Sequence, residues 1–153
     1  MKLRYLCGIA LLSMIGCQPR PDLAEEARAI RELWEAGGRA LENRDFDAYS
    51  NFWANNERVQ IMHPDVPEWL VGWSALGPRY QERMAEGPDL RARTYDWAIT
   101  VSPSAEMAWA TMKVEVQVIT SDTLTFVAWE SAVFEKLDGS WRLVQVHMST
   151  PAS

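Results

Sequence analysis

The chain has 153 residues, with 15 lysines and arginines against 21 aspartates and glutamates, so its formal net charge is −6 at pH 7. This length suits one domain with a sizeable core. The acidic balance excludes the basic surface that nucleic acid or anionic lipid head groups require. Two cysteines are too few for a disulfide framework, so we expect the core to supply the stability.

The N-terminal segment is typical of a secretion signal. Lys2 and Arg4 precede an apolar run over 5–15 that is too short to remain as a membrane helix. The following "MIGCQPRP" resembles the lipobox of bacterial lipoproteins, which implies a signal peptide over 1–16 and a lipid on Cys17. Residues 17–21 would then be a short linker, and the chain would lie in the bacterial cell envelope with the lipid as its membrane attachment. Ordinary signal-peptidase cleavage nearby is the alternative, as is a Cys17 that simply ends the apolar core.

Helical patterns follow this segment. Asp22 is a plausible N-cap for a first helix reaching about Asn43, because apolar residues recur along one stripe. Gly37 and Gly38 interrupt it and predict a bend or the close approach of another element. The stripe consists of Leu23, Ala27, Ile30, Trp34 and Leu41.

Shorter elements occupy the middle of the chain. Asp45 predicts the N-cap of a second helix, "FDAYSNFWA", and "RVQIMH" alternates like a strand that Pro64 stops. A loop, "PDVPEWLVGW", leads to a third helix from Ser74 to Met84, in which Pro78 is tolerable only in the first turn.

Four long alternating runs complete the chain: "LRARTYDWAITVS", "MAWATMKVEVQVIT", "TLTFVAWESAVFEKL" and "SWRLVQVHMST". Asp138-Gly139 between the last two is a strong hairpin signal. Three helices followed by antiparallel strands predict an α+β fold in which the helices cover one face of a curved, mainly antiparallel sheet.

This order of elements resembles the nuclear transport factor 2-like, SnoaL-like superfamily over about 22–150, and the closing "DGSWRLVQVHMS" is the most specific part. The resemblance implies a SnoaL-like domain over 22–153. It also implies a cone-shaped sheet around a central cavity, often with homodimerisation through the outer sheet face. It implies no single activity, because the superfamily contains isomerases, cyclases, dehydratases, epoxide hydrolases and domains that only bind or assemble.

The last strand supplies the first candidate residue, His147. Strict alternation puts His147 on one face with Gln145 and Ser149, and the resemblance favours that face pointing inward. An inward imidazole could act as acid, base or hydrogen-bond donor. A buried structural histidine is an equal alternative.

Carboxylates are the other candidates for acid-base chemistry. Glu130 shares a face with apolar neighbours, which would bury it and raise its pKa if neither Lys113 nor Arg142 pairs with it. A solvated charge or a salt bridge at a dimer interface is the alternative for Glu130, and the favoured interpretation for Asp96.

Aromatic residues and a second histidine complete the candidate pocket. Eight tryptophans are far above ordinary usage, and they can line a pocket for an apolar molecule or simply fill the core. Trp69 and Trp73, on a loop, are the better pocket candidates. No metal-binding spacing is present, so we expect no metal and no cofactor. The predicted ligand-binding residues are His63, Trp69, Trp73, Tyr80, Trp97, Gln145 and Ser149.

The sequence therefore predicts a secreted, lipid-anchored domain that binds a small apolar or aromatic ligand. One alternative is a cofactor-independent isomerase, lyase or hydrolase with His147 or Glu130 as acid or base, and Tyr80 or Tyr95 as hydrogen-bond donor. Another is a dimeric structural or partner-binding lipoprotein whose own side chains fill the cavity.

Overall fold

The computed structural model describes residues 20–64, 66 and 68–150. The predicted signal segment and Cys17 lie outside these residues. Within them, three helices and a six-stranded sheet confirm the α+β prediction. The elements are α1 (Leu23–Glu42), α2 (Phe46–Phe52), β1 (Gln60–Met62), β2 (Leu70–Val71), α3 (Trp73–Glu86), β3 (Asp89–Val101), β4 (Met107–Ile119), β5 (Leu124–Leu137) and β6 (Ser140–Ser149). No helix in this described part of the chain is long and apolar enough to cross a membrane.

Helix α1 begins and packs as its sequence indicates. The Asp22 carboxylate accepts the backbone N–H groups of Ala24 and Glu25 at 3.0 and 3.2 Å, which satisfies two donors that the helix leaves open. A Cβ atom at Gly37 would lie 2.7 Å from the Phe52 ring, so only glycine lets α2 approach this closely. The predicted close approach is confirmed.

Helix α3 differs from the prediction at its start. It begins at Trp73, and its N-cap is Gly72 with φ 87°. Backbone bonds from Gly72 to Val59 and from Trp73 to Asn56, at 2.9 and 3.0 Å, fix this start against the end of the α2–β1 connection. Pro78 falls in the second turn, beyond the first turn in which we expected it to be tolerable, and it removes one helical hydrogen bond there.

One mixed sheet contains all six strands in the order β2-β1-β6-β5-β4-β3. Strand β1 runs parallel to β6, and every other neighbouring pair is antiparallel. The hairpin between β5 and β6 closes at Asp138 and Gly139, whose φ angles are 49° and 79°. Two successive positive φ angles are those of a type I′ turn, so the hairpin prediction is confirmed.

Two bulges decide which side chains face the concave side of the sheet. In β3 the pairing shifts between Tyr95 and Ala98, and Asp96 takes a φ of 54°. In β6, Leu143 pairs with Phe134 and Gln145 pairs with Val133, which leaves Val144 as the extra residue. Each extra residue reverses the faces of the residues beyond it.

Candidate functional site

A cavity of about 640 Å³ lies between the concave face of the sheet and the helices. Its volume falls within the range of small-molecule pockets. Helices α1, α2 and α3 supply one wall, and all six strands of the sheet contribute to the other. The lining side chains are mostly apolar and include Trp34, Leu41, Tyr49, Phe52, Trp53, Ile61, His63, Leu76, Tyr80, Val114, Phe126, Glu130, Leu143, Val146 and Met148.

Glu130 is the ionisable side chain on the inner face of β5. Its direct neighbours across the sheet are Met112 on β4 and Met148 on β6, and both methionines are buried. Glu130 itself is only 8% exposed. No hydrogen bond or ion pair joins it to another residue of the described chain. The cavity wall therefore carries a carboxyl group in apolar surroundings.

This burial sets the protonation state of Glu130. Desolvation disfavours the carboxylate and raises the pKa of Glu130 from 4.5 to about 8. Lys113, which could have lowered that pKa, instead donates to Asp96 at 2.8 Å. Arg142 donates to the Trp141 carbonyl oxygen. At neutral pH the Glu130 carboxyl is mainly a hydrogen-bond donor that can also release a proton.

Two tyrosines face the same space from the helices. The rings of Tyr49 on α2 and Tyr80 on α3 lie 4.7 Å apart. Tyr49 is buried, and desolvation raises its pKa well above 10, with smaller contributions from Tyr80 and Glu130. Tyr49 consequently stays a neutral hydroxyl group, and it can offer a hydrogen bond near the acid without becoming charged.

Aromatic rings form part of the wall around Tyr49 and Tyr80. Trp34 meets Phe52 edge to face at 5.7 Å, and Phe52 meets Trp53 at 5.9 Å. The indole Nε1 of Trp53 is buried and donates no hydrogen bond within the described residues. Edge-to-face rings hold one another in place, so the wall is rigid as well as apolar.

Charged residues line the cavity where α1 and α3 border it. Arg39 on α1 and Arg79 on α3 are exposed, and Glu42 accepts the backbone N–H of Ala92 at 2.7 Å. Arg44 joins the two helix ends because its guanidinium donates to the backbone of α3 and to Asp89. The exposed residues therefore mark the mouth, and Glu130 lies on the sheet wall.

The last strand does not present its histidine to the cavity, and this prediction is wrong. The extra residue Val144 puts Val146 and Met148 on the inner face, and both line the cavity. Gln145, His147 and Ser149 are partly exposed and are absent from the lining. Simple alternation gave the opposite faces because it assumes an unbroken ladder.

Three predicted tryptophans also lie outside the cavity. Trp69 is 57% exposed on its loop. Trp73 packs in the first turn of α3, with its ring 6.4 Å from those of Phe46 and Trp53. Trp97 follows the β3 bulge and packs edge to face on Trp34 at 6.1 Å. The tryptophans that do line the cavity are Trp34 and Trp53.

The cavity thus brings together only part of the predicted set. His63, Tyr80 and Glu130 line it, and Tyr95 does not. Tyr49 and Trp34 were missed as site residues, although helical spacing already placed each on the apolar stripe of its helix. Within the described chain, no group of three or more histidine, cysteine, aspartate or glutamate residues could hold a metal ion.

The outer face of the sheet is the second unusual surface. Met107 and Trp109 on β4 and Trp129 on β5 are each about half exposed, at 46%, 52% and 49%. Trp109 on β4 pairs with Val133 on β5, and Trp129 on β5 pairs with Lys113 on β4. An apolar group of this kind on a sheet face is a common feature of protein interfaces.

Solved structures with the same fold come from several bacteria. One, provisionally named a dehydratase of the NTF2-like family from Streptomyces avermitilis, matches with a TM-score of 0.76 and 19% identity over 85% of this chain and 99% of that chain. Another, provisionally named a scytalone dehydratase from Novosphingobium aromaticivorans, has a TM-score of 0.73 and 14% identity over 84% and 86%. A nuclear transport factor 2-like protein from Salmonella enterica has a TM-score of 0.73 and 21% identity over 85% and 94%. At these identities the likeness shows the fold alone.

No curated protein matches the chain. The family model described as a SnoaL-like domain, in contrast, matches residues 30–153. This range contains most of α1, both other helices and the whole sheet, and so every wall of the cavity. The chain belongs to the SnoaL-like domain family.

Proposed function

We propose that this domain binds a small, mainly apolar or aromatic molecule in its central cavity. One observation carries the proposal: a cavity of about 640 Å³ has apolar walls and one buried carboxyl, Glu130, which has no partner among the described residues. Burying such a group costs free energy unless something bonds to it. A ligand with an apolar body and one polar group would cover the walls and supply that bond.

Native mass spectrometry tests this function on a chain that begins after Cys17 and carries no lipid. We expect a ligand of small-molecule mass to remain bound. Val116→Trp, at a lining position, should displace it because the larger ring fills the cavity. Val127→Trp, on the opposite face of β5, is the matched control and should keep the ligand. A chain that is always empty, and that binds no apolar compound, would contradict the proposal.

Acid-base catalysis is the second candidate function, and the state of Glu130 favours it. With a pKa of about 8, roughly one Glu130 in ten is ionised at pH 7, so the group can both give and take a proton. Tyr49 can donate a hydrogen bond to an oxygen that gains charge. A cofactor-independent isomerase or lyase needs these two kinds of group. Two structural neighbours are provisionally named as dehydratases.

Deuterium exchange distinguishes catalysis from binding in the same preparation. In deuterated solvent, an isomerase or lyase should place deuterium on carbon atoms of the bound molecule. Glu130→Gln should stop this exchange while the ligand stays bound, because glutamine keeps the shape of the protonated acid but cannot transfer the proton. If the ligand bound to the unmodified protein carries no deuterium, the function is binding and not catalysis.

Two parts of the sequence prediction complete this proposal. The lipid on Cys17 would hold the domain at a bacterial membrane. A second copy of the chain would pack on the outer sheet face, where Trp109 and Trp129 are half exposed. Native mass spectra report the subunit count directly, and Trp109→Ser should shift a dimer towards monomer. A monomer at all concentrations would rule the dimer out.

A further inference from the structure

No cationic side chain among the described residues pairs with Glu130, whose pKa is raised by burial alone. On the sheet, its inner-face neighbours on β4 and β6 are Met112 and Met148. The titratable or charged side chains that line the cavity from other elements are Glu35, Arg39 and Glu42 on α1, Tyr49 on α2, His63 after β1, and Arg79, Tyr80 and Arg83 on α3. Arg93 on β3 also borders the cavity, between the lining residues Ala92 and Thr94. None of these cations pairs with Glu130.

The walls near Glu130 suit a cation that comes with the ligand. Six aromatic residues line the cavity: Trp34, Tyr49, Phe52, Trp53, Tyr80 and Phe126. Aromatic faces attract ammonium groups, and the attraction strengthens when water is excluded. An apolar cavity with aromatic walls and one acid thus offers an ammonium group both an ion pair and a favourable surface.

The net charge of the whole molecule also favours a cationic ligand. The formal net charge is −6, so the far field favours the entry of cations over anions. Arg39 and Arg79 oppose this locally, but both are exposed at the mouth, where salt screens them. Glu35 at the same border is paired with Arg31, so it does not neutralise Arg39 or Arg79.

We propose that the preferred occupant of the cavity is an amphipathic organic amine, whose protonated nitrogen pairs with the Glu130 carboxylate while its apolar body lies against the aromatic wall. This inference rests on the proposed cavity-binding function and names the class of ligand. The amine keeps its proton, so Glu130 must lose one when the ion pair forms. Binding near pH 7 therefore releases about one proton to the buffer, because Glu130 is mainly protonated in the free protein.

Three compounds with the same apolar body test the charge preference: 2-(1-naphthyl)ethylamine, 2-(1-naphthyl)ethanol and 1-naphthylacetate. Titration calorimetry at pH 7 in phosphate and in Tris gives both affinity and proton release, since the two buffers differ in ionisation enthalpy. We expect the amine to bind about tenfold more tightly than the alcohol. The amine should release close to one proton per site, and the alcohol none.

The variant Glu130→Gln tests the contribution of the Glu130 carboxylate to binding. In this variant the amine should lose its advantage and release no proton, and the alcohol should keep its affinity within about threefold, because the cavity is unchanged in shape. Glu115→Gln removes an equal charge from β4 at a position outside the cavity lining, and it should bind all three compounds like the unmodified chain.

The outcomes separate this inference from the function on which it rests. Equal affinities for amine and alcohol, without proton release, would overturn the amine as the ligand class and leave cavity binding intact. Tightest binding of 1-naphthylacetate would also overturn it, and would assign the preference to the arginines at the mouth. Failure of all three compounds to bind would overturn cavity binding as well.

Discussion

Two glutamates that face the interior from different regions have opposite environments. Glu26, in the first turn of α1, accepts hydrogen bonds from Lys136 Nζ on β5 and from Trp141 Nε1 on β6. The bond from Lys136 is the largest effect and lowers the pKa of Glu26. Glu130 lies on the same strand as Lys136 but has no partner among the described residues, and burial alone raises its pKa to about 8.

The difference distinguishes Glu26, an acid that stabilises the fold, from Glu130, an acid that does not. Glu26 connects α1 to two strands, and its charge contributes to folding. Glu130 forms no such connection among the described residues. Methionine, the residue type of its neighbours Met112 and Met148, has a similar size and would pack there without a desolvation cost. A group that costs stability and borders a cavity is a candidate for ligand contact or proton transfer.

The largest expected effect comes from Glu130→Gln. Glu130 holds its proton up to about pH 8 in the folded chain but loses it near pH 4.5 when unfolded, so stability falls as pH rises through this window. Glutamine does not titrate. We expect the variant to be more stable than the unmodified chain by about 3 kcal/mol at pH 7. Urea unfolding between pH 5 and pH 9 measures the difference.

The dependence of this stability difference on pH is the control for the prediction. The advantage of glutamine should shrink towards pH 5, which is close to the unfolded pKa of 4.5, and should level off above pH 8, where both states of the unmodified chain are ionised at Glu130. Glu115→Gln should follow the unmodified chain throughout. An advantage that does not depend on pH would show that packing, not ionisation, separates the two proteins.

The second effect is of opposite sign and comes from Glu26→Gln. Because the folded pKa of Glu26 is lowered, its contribution is fully present above pH 4.5 and is lost as pH falls through the folded pKa. At pH 7 the variant should lose on the order of 1 to 3 kcal/mol, since the charge of the partly buried Lys136 is left without an opposite charge. The loss should vanish in acid.

Unfolding midpoints at pH 7 and over a series of pH values below 4.5 measure this contribution. Glu25→Gln is the matched control, because Glu25 is exposed in the same turn of α1 and makes no ion pair within the described chain. A Glu26 variant as stable as the control at pH 7 would mean that the Lys136 pair only offsets its own desolvation.

Local patterns predicted the elements, because periodicity and capping residues act over a few positions. Asp22 and Asp45 cap the helices as their spacing indicates, and Asp138-Gly139 forms the turn. Glu130 could be placed among apolar neighbours because β5 has no bulge near it. The alternation of inward and outward side chains along β5 is therefore unbroken at Glu130.

The inward side of β6 could not be predicted in this way. Val144 and Val146 alternate with Leu143 and Gln145 in a run that is apolar on both faces, so no residue type marks the bulge. The bulge appears only when β6 is paired with β5. One extra residue then moved three predicted site residues, His147 included, away from the cavity.

The smallest effect extends the comparison to an acid on the surface. Asp96 at the β3 bulge pairs with Lys113 at 2.8 Å, but the two side chains are 60% and 41% exposed. Asp96→Asn should leave the unfolding midpoint unchanged in low and high salt, because solvent already screens an exposed pair. Asp96→Ala should cost more, about 1 kcal/mol, because alanine tolerates the φ of 54° less well than asparagine does. Equal losses in both variants, relieved by salt, would instead give the charge at the bulge the structural role that Glu26 has at the start of α1.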